Sequence, residues 1–240
     1  FYPKWEQYRT ESTLSWDVSG YYMYLPAIFI YKDIKQCKFI DDVIKNYGPT
    51  PEIQQFFKHE KSGNVVMKYA AGQALVMSPF FFIGHTIASA SDKYPDDGFS
   101  YPYQISLGIG MFLYSLLGIF LMRKVLLHFF DDNVTAIVLF GIVYGTNYLN
   151  YSSIDQCQTH SPLFTIYAAL ILVTINFYRK PEYKKAILIG VLTGIATLIR
   201  PTDIISILIP IFWNVTSLAS IKERIQFLFS NIKLYSVAIV

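Results

Sequence analysis

The chain has 240 residues, 53% of them hydrophobic and only 15% charged, against about 25% charged in an average soluble domain. Its net charge of +3 comes from scattered Lys and Arg, with no basic stripe interleaved with stacking aromatics, which excludes a nucleic-acid interface. The apolar residues come in blocks, so the composition points to an all-α, polytopic membrane protein.

The N-terminal segment is polar and aromatic up to Trp16-Asp17-Val18-Ser19-Gly20. An apolar run follows from Tyr21 to Tyr31, but at 1.5 Å per residue it covers only about half a bilayer. It reads as a helix lying in the membrane interface, where Tyr is favoured. Asp17, just ahead of it, is expected at the water–lipid boundary, either as a helix cap or as a reactive carboxylate. Residues 32–66 read as a charged loop with turns at Tyr47-Gly48-Pro49 and Ser62-Gly63-Asn64. The acidic pair Asp41-Asp42 and the trio Asp92, Asp96 and Asp97 read as solvated turns. Residues 67–90 are apolar but punctuated by Gly72, Pro79 and Gly84; a second interfacial helix pair is favoured over a kinked span. Residues 1–103 thus form a long first loop carrying interfacial helices.

Residues 104–240 form a transmembrane helical bundle. Spans are expected over 104–122, 133–149, 162–177, 186–199 and 204–219, with a further one opening at Leu234. The chain starts at Phe1 without an initiator Met and stops inside that last apolar run, so both ends are expected to be truncated and an anchor helix is expected upstream. Alternate short loops hold Arg123 and Lys124; Arg179, Lys180, Lys184 and Lys185; and Lys222, Arg224 and Lys233. The opposite short loops hold only Arg200. The basic loops are therefore cytoplasmic, and the long first loop faces outward.

On this topology Asp17, Lys68, Tyr69, Asn147, Asp155, Gln158, His160, Arg200 and Asp203 share the outer face. Lys68 offers a point charge to a phosphate and Arg200 a bidentate fork. The alternatives are a snorkelling Lys68 and an Arg200 paired with Asp203. His160 starts a span as a cap, a headgroup-level residue or a ligand, whereas His85 reads as packed. Gly190 and Gly194 mark close helix packing. Cys37 and Cys157 belong to no CxxC or Cys/His cluster, so no metal site is expected. Two free thiols are the preferred reading, with a disulfide left open.

Several stretches resemble the GT-C membrane glycosyltransferases, in the branch of protein mannosyltransferases and the lipid A aminoarabinose transferase. They are Asp17-Val-Ser-Gly-Tyr-Tyr-Met-Tyr-Leu-Pro26, Lys68-Tyr-Ala-Ala-Gly72, Ser78-Pro-Phe-Phe-Phe82, Tyr144-Gly-Thr-Asn147, Thr159-His-Ser161 and Leu198-Ile-Arg-Pro-Thr202. The resemblance is strongest to bacterial glycosyltransferase-like membrane proteins. It implies a GT-C fold, a site facing the periplasm or exterior of the cytoplasmic membrane, and a polyprenyl-phosphate sugar donor. It also implies Asp17 as catalytic base and Lys68 and Arg200 as ligands of the donor phosphate. Tyr69, His160 and Asp203, on the same outer face, are further substrate-binding candidates. Two positions depart from the pattern: Asp17 lacks the adjacent second acid that some members have, and Lys68 is followed by Tyr-Ala rather than the more usual Tyr-Pro or Pro-Pro. The partners implied are the lipid-linked donor, a glycan, lipid or protein acceptor and membrane lipids, with no cofactor. A transporter or flippase of lipid-linked saccharides is the alternative; the near absence of ionisable groups inside the spans speaks against an ion-coupled carrier.

Overall fold

The computed structural model describes residues 2–51 and 55–236. The chain forms two compact units, one of residues 1–116 with 141–162, the other of 117–140 with 163–240.

The first unit opens with two short 3-10 turns, Lys4–Glu6 and Arg9–Glu11. Helices α1 (Asp17–Tyr22) and α2 (Tyr24–Phe29) follow almost without a break. Met23 keeps helical geometry, and the bonds Met23 N to Ser19 O and Ala27 N to Met23 O bridge the joint. Pro26 falls in the first turn of α2, where a missing N–H costs nothing. The expected interfacial helix is therefore two short ones, and most of its side chains are buried in the unit's own core. Tyr22, Met23, Leu25 and Ala27 are inaccessible or nearly so, while Ile28 and Phe29 stay exposed.

Residues 32–51 and 55–66 are more ordered than their charge suggests. Ile40, Val43, Ile44 and Tyr47 recur at helical spacing and form the inward face of α3 (Ile40–Tyr47). Asp41 and Asp42 are not a turn but its first helical turn, where the helix dipole favours acids. Gly48, at φ +52°, ends the helix in left-handed geometry, with Pro49 behind it. Strands β1 (Phe56–Lys58) and β2 (Val65–Met67) then pair antiparallel, Phe57 opposite Val66. The Ser62-Gly63-Asn64 turn closes this hairpin, with Gly63 at φ +68°. The small hairpin is an addition to the expected all-helical fold.

Helix α4 (Gly72–Ser89) is one continuous 18-residue element with Pro79 inside it, rather than a pair. Gly84 brings it close to α5 (Tyr101–Leu126), since a methyl there would stand 2.8 Å from the Tyr103 Cα. His85 packs as expected: Nδ1 is 2.5 Å from the Tyr103 hydroxyl and the ring stacks on Phe81. Asp97 is more than a solvated turn. Its Oδ1 accepts the N–H groups of Phe99 and Ser100, and its Oδ2 accepts the Tyr47 hydroxyl. Tyr22 sits at the centre of the core, edge-on to Phe81 and Phe99, with its hydroxyl donating to Gly98 O at 2.5 Å.

Helix α6 (Asp132–Gly145) is shorter than the span expected to run to Leu149. Thr146 turns its hydroxyl back onto Ile142 O and accepts Tyr148 N, so α7 (Tyr148–Ser153) starts as a separate helix. Helix α8 (His160–Arg179) and helix α5 are long and apolar enough to cross a membrane; α6 and residues 201–211 are apolar but shorter. In the second unit, Leu170 and Phe177 of α8 pack with Ala186 and Ile189 of α9 (Tyr183–Ile199). Gly194 has open space where a side chain would stand, so the expected small-residue packing step is not seen there.

The span expected over 204–219 is not one helix. Pro201 drives Arg200 into extended geometry and opens a 3-10 helix, Pro201–Ile207. Helix α10 (Leu208–Ile211) contains Pro210 and stops at Phe212. Asn214 turns the chain at φ +58°, and Ser217 caps α11 (Leu218–Ser230) through a reciprocal bond with Ser220. Helix α12 (Ile232–Ser236) follows. The span expected to open at Leu234 runs on into residues 237–240, outside the described residues.

Cys37 and Cys157 are both free and buried. Burial pushes the Cys37 thiol up to about 11 and the Cys157 thiol to about 12. Both are protonated thiols at neutral pH. Native-state alkylation by iodoacetamide at pH 8 is expected to run at least about 10²-fold slower than for free cysteine. Labelling at the free rate would contradict the burial of these two residues.

Candidate site around Asp17

Trp16 is held at φ +51°, and its N–H donates to Pro49 O at 3.0 Å. That kink starts α1 at Asp17 and leaves Asp17 half-buried at the helix's first position. Three side chains meet the carboxylate. Lys68 Nζ lies 3.9 Å from Oδ1, with both side chains about half exposed. The Gln55 amide donates to Oδ1 at 3.5 Å. The Tyr69 phenol hydrogen-bonds to the same carboxylate; burial first, then this bond and the Asp17 charge, push the phenol well above its usual range. Tyr69 therefore stays a neutral donor at physiological pH.

The hairpin assembles these partners. Lys68 follows β2, and its N–H donates to Gln55 O at 2.9 Å, which ties the two strand ends together. Tyr69 lies against Tyr21 with ring centroids 4.2 Å apart, and Lys68 Nζ sits 4.9 Å from the Tyr69 ring. Gly20 makes this approach possible: a methyl there would stand 2.9 Å from both Gln55 Cβ and Tyr69 Cδ2. Gln55 was not among the residues expected at the site. It is 2% exposed, and its Oε1 has no hydrogen-bond partner among the described residues. Its signal lay in the hairpin, whose strands were read as loop.

The sequence places the base and its cations on separate segments. The structure instead pairs Lys68 directly with Asp17. A half-exposed pair at that distance is worth about 0–1 kcal/mol, so the lysine can swing on its flexible stem toward an anion. The other expected residues lie elsewhere. His160 is exposed at the start of α8, stacked on Tyr151 at 3.9 Å. Asp155 is paired with Lys4 at 2.5 Å and takes a further bond from Asn150. Beside that pair is a small cavity of about 30 Å³, lined in part by Trp16 and Gln158. Arg200 and Asp203 belong to the second unit, where Asp203 N donates to Arg200 O at 2.8 Å. The Tyr167 hydroxyl donates to Asp203 Oδ1 at 3.3 Å, and Asp203 Oδ2 is buried with no hydrogen-bond partner among the described residues.

No family model, no curated protein and no solved structure matches this chain.

Proposed function

We propose that the chain is a multi-pass membrane glycosyltransferase that moves a sugar from a polyprenyl-phosphate donor to an acceptor hydroxyl on the outer face of a bacterial cytoplasmic membrane. The observation that carries this reading is the Asp17 carboxylate, met by the Tyr69 phenol, the Gln55 amide and the Lys68 ammonium at the start of α1. The phenol and the amide orient the carboxylate. Asp17 then takes the proton of an acceptor hydroxyl as its oxygen bonds to the anomeric carbon. The bond from that carbon to the phosphate oxygen breaks, and polyprenyl phosphate leaves with the electron pair. Lys68, beside Asp17, is a cation suited to that growing negative charge.

The test is direct. The purified full chain is incubated with a polyprenyl-phosphate-linked sugar and a mixed pool of acceptors, and free polyprenyl phosphate is followed. Release is expected. The carrier reading has one observation of its own, the buried Asp203 oxygen that has no hydrogen-bond partner among the described residues. A carrier moves the donor across sealed vesicles and leaves it intact, which would overturn the transferase reading.

Two further expectations belong to this reading. Arg200→Lys keeps the charge but loses the fork, so donor affinity is expected to fall about tenfold while the protein still inserts; unchanged affinity would make Arg200 structural. The outward topology predicts that a cysteine at the exposed Ile154 labels from outside in intact cells and one at the exposed Tyr183 does not. The buried native thiols give a low background. External labelling at position 183 would overturn the orientation.

A further inference from the structure

The first unit carries a second concavity, a cleft of about 450 Å³, within the ~300–1,000 Å³ range of small-molecule sites. Its walls are aromatic. Trp5 lies buried at its base, where Gly108 leaves room for the indole; a methyl on that glycine would come within 2.8 Å of the ring. Tyr47 forms one side, with its hydroxyl fixed on Asp97. Tyr94 and Tyr101 stack on each other at 5.7 Å and 25°. Tyr8 lines the cleft yet is 86% exposed. A tyrosine that exposed adds little to the protein's own core, so its ring face is free for a ligand.

We propose that this cleft binds a neutral saccharide, whose pyranose rings lie on Tyr8 and on the Tyr94–Tyr101 pair. A pyranose has a face of C–H groups and a rim of hydroxyls. The C–H face suits the negative face of an aromatic ring. The hydroxyl rim suits the side chains of Glu6 and Gln7, which also line the cleft. Glu6 is the sole formal charge among the lining residues described. Lys93 Nζ lies 5.0 Å from the Tyr94 ring centroid, so the cleft has one charge of each sign at or beside its lining and favours a neutral ligand over an ion of either sign. The walls are fixed in advance by the Tyr47–Asp97 bond and by Gln104, whose amide is held between Leu14 N and Phe99 O, so little ordering is left for binding to cost. The cleft is also joined to the Asp17 cluster by a short path. Tyr47 ends α3, Pro49 accepts the Trp16 N–H two residues on, and Asp17 follows. On the transferase reading, on which this assignment of role rests, the saccharide is the acceptor.

The experiment is saturation-transfer NMR on the purified full chain with maltotetraose and mannotetraose, in a detergent without a sugar headgroup. Transfer to the ring C–H protons of at least one probe is expected. Tyr8→Ala and Tyr94→Ala should each weaken that binding about tenfold, the scale of one lost aromatic contact. Tyr8→Phe, which keeps the ring, should bind like wild type. Absence of transfer to both probes, or full affinity in both Ala variants, overturns the proposal. So does displacement of the bound probe by a spin-labelled phospholipid, which would make the cleft a lipid groove. Polyprenyl phosphate release is measured on the same samples. Glycan binding without release removes the transferase reading and keeps the cleft; release without glycan binding does the reverse.

Discussion

Asp17→Asn is expected to lower turnover by about 10²-fold or more, the usual scale for a lost general base, while folding and donor binding stay nearly intact. Asn has almost the same shape and still offers an oxygen to the Tyr69 hydroxyl, but it cannot take a proton at neutral pH. Its effect therefore separates chemistry from structure. The pair it gives up, with Lys68 at 3.9 Å and half exposed, contributes about 0–1 kcal/mol at most. The change should appear in kcat and leave the donor's dissociation constant within about twofold, since a group that acts only in the transition state leaves ground-state binding alone. An Asn variant that turns over near the wild-type rate would reduce Asp17 to a residue that starts a helix.

Tyr22→Ala should be the most costly single change in the first unit, at about 3–5 kcal/mol. The ring is fully buried, with Phe81 and Phe99 edge-on to it. Truncation opens a cavity there and also strands Gly98 O. Tyr22→Phe isolates the second effect at about 1 kcal/mol, because only the hydrogen bond is lost. Thermal unfolding of the detergent-solubilised protein reads both. An Ala variant that melts with wild type would mean the core is not centred on Tyr22.

Much of the helical framework was legible in the residues. Runs such as 104–122 and 162–177 are strongly apolar, and the helices that hold them, Tyr101–Leu126 and His160–Arg179, are long and apolar enough to cross a membrane. The turns at Gly48 and Gly63 were legible too, because positive φ favours glycine. What escaped was structure set by tertiary contact. The strands Phe56–Lys58 and Val65–Met67 are three residues each, too short for a period-two pattern to rise above a charged loop. The break at Arg200 was legible from Pro201, but the 3-10 stretch Pro201–Ile207 and the stop at Phe212 hide inside an apolar run, 204–219, that hydropathy reads as one helix. At the site, Asp17, Lys68 and Tyr69 were singled out from type and position, and the structure gathers them. Gln55 could not be found that way. A glutamine in a charged loop looks like any other until the hairpin ties it to Lys68. The same holds for the Tyr47–Asp97 bond, where two residues fifty apart explain an acid that composition assigns to solvent.

Chemical rescue tests most directly whether the Asp17 carboxylate serves as the base in sugar transfer. Azide needs no base, since it is already an anion without a proton to lose. Asp17→Ala, incubated with the polyprenyl-phosphate sugar, should be nearly inert toward hydroxyl acceptors and should form glycosyl azide with release of polyprenyl phosphate when azide is added. The wild-type protein should gain little from the same addition. A variant that binds the donor normally and remains inert at high azide would contradict the account, because the defect would then lie elsewhere than in the missing base.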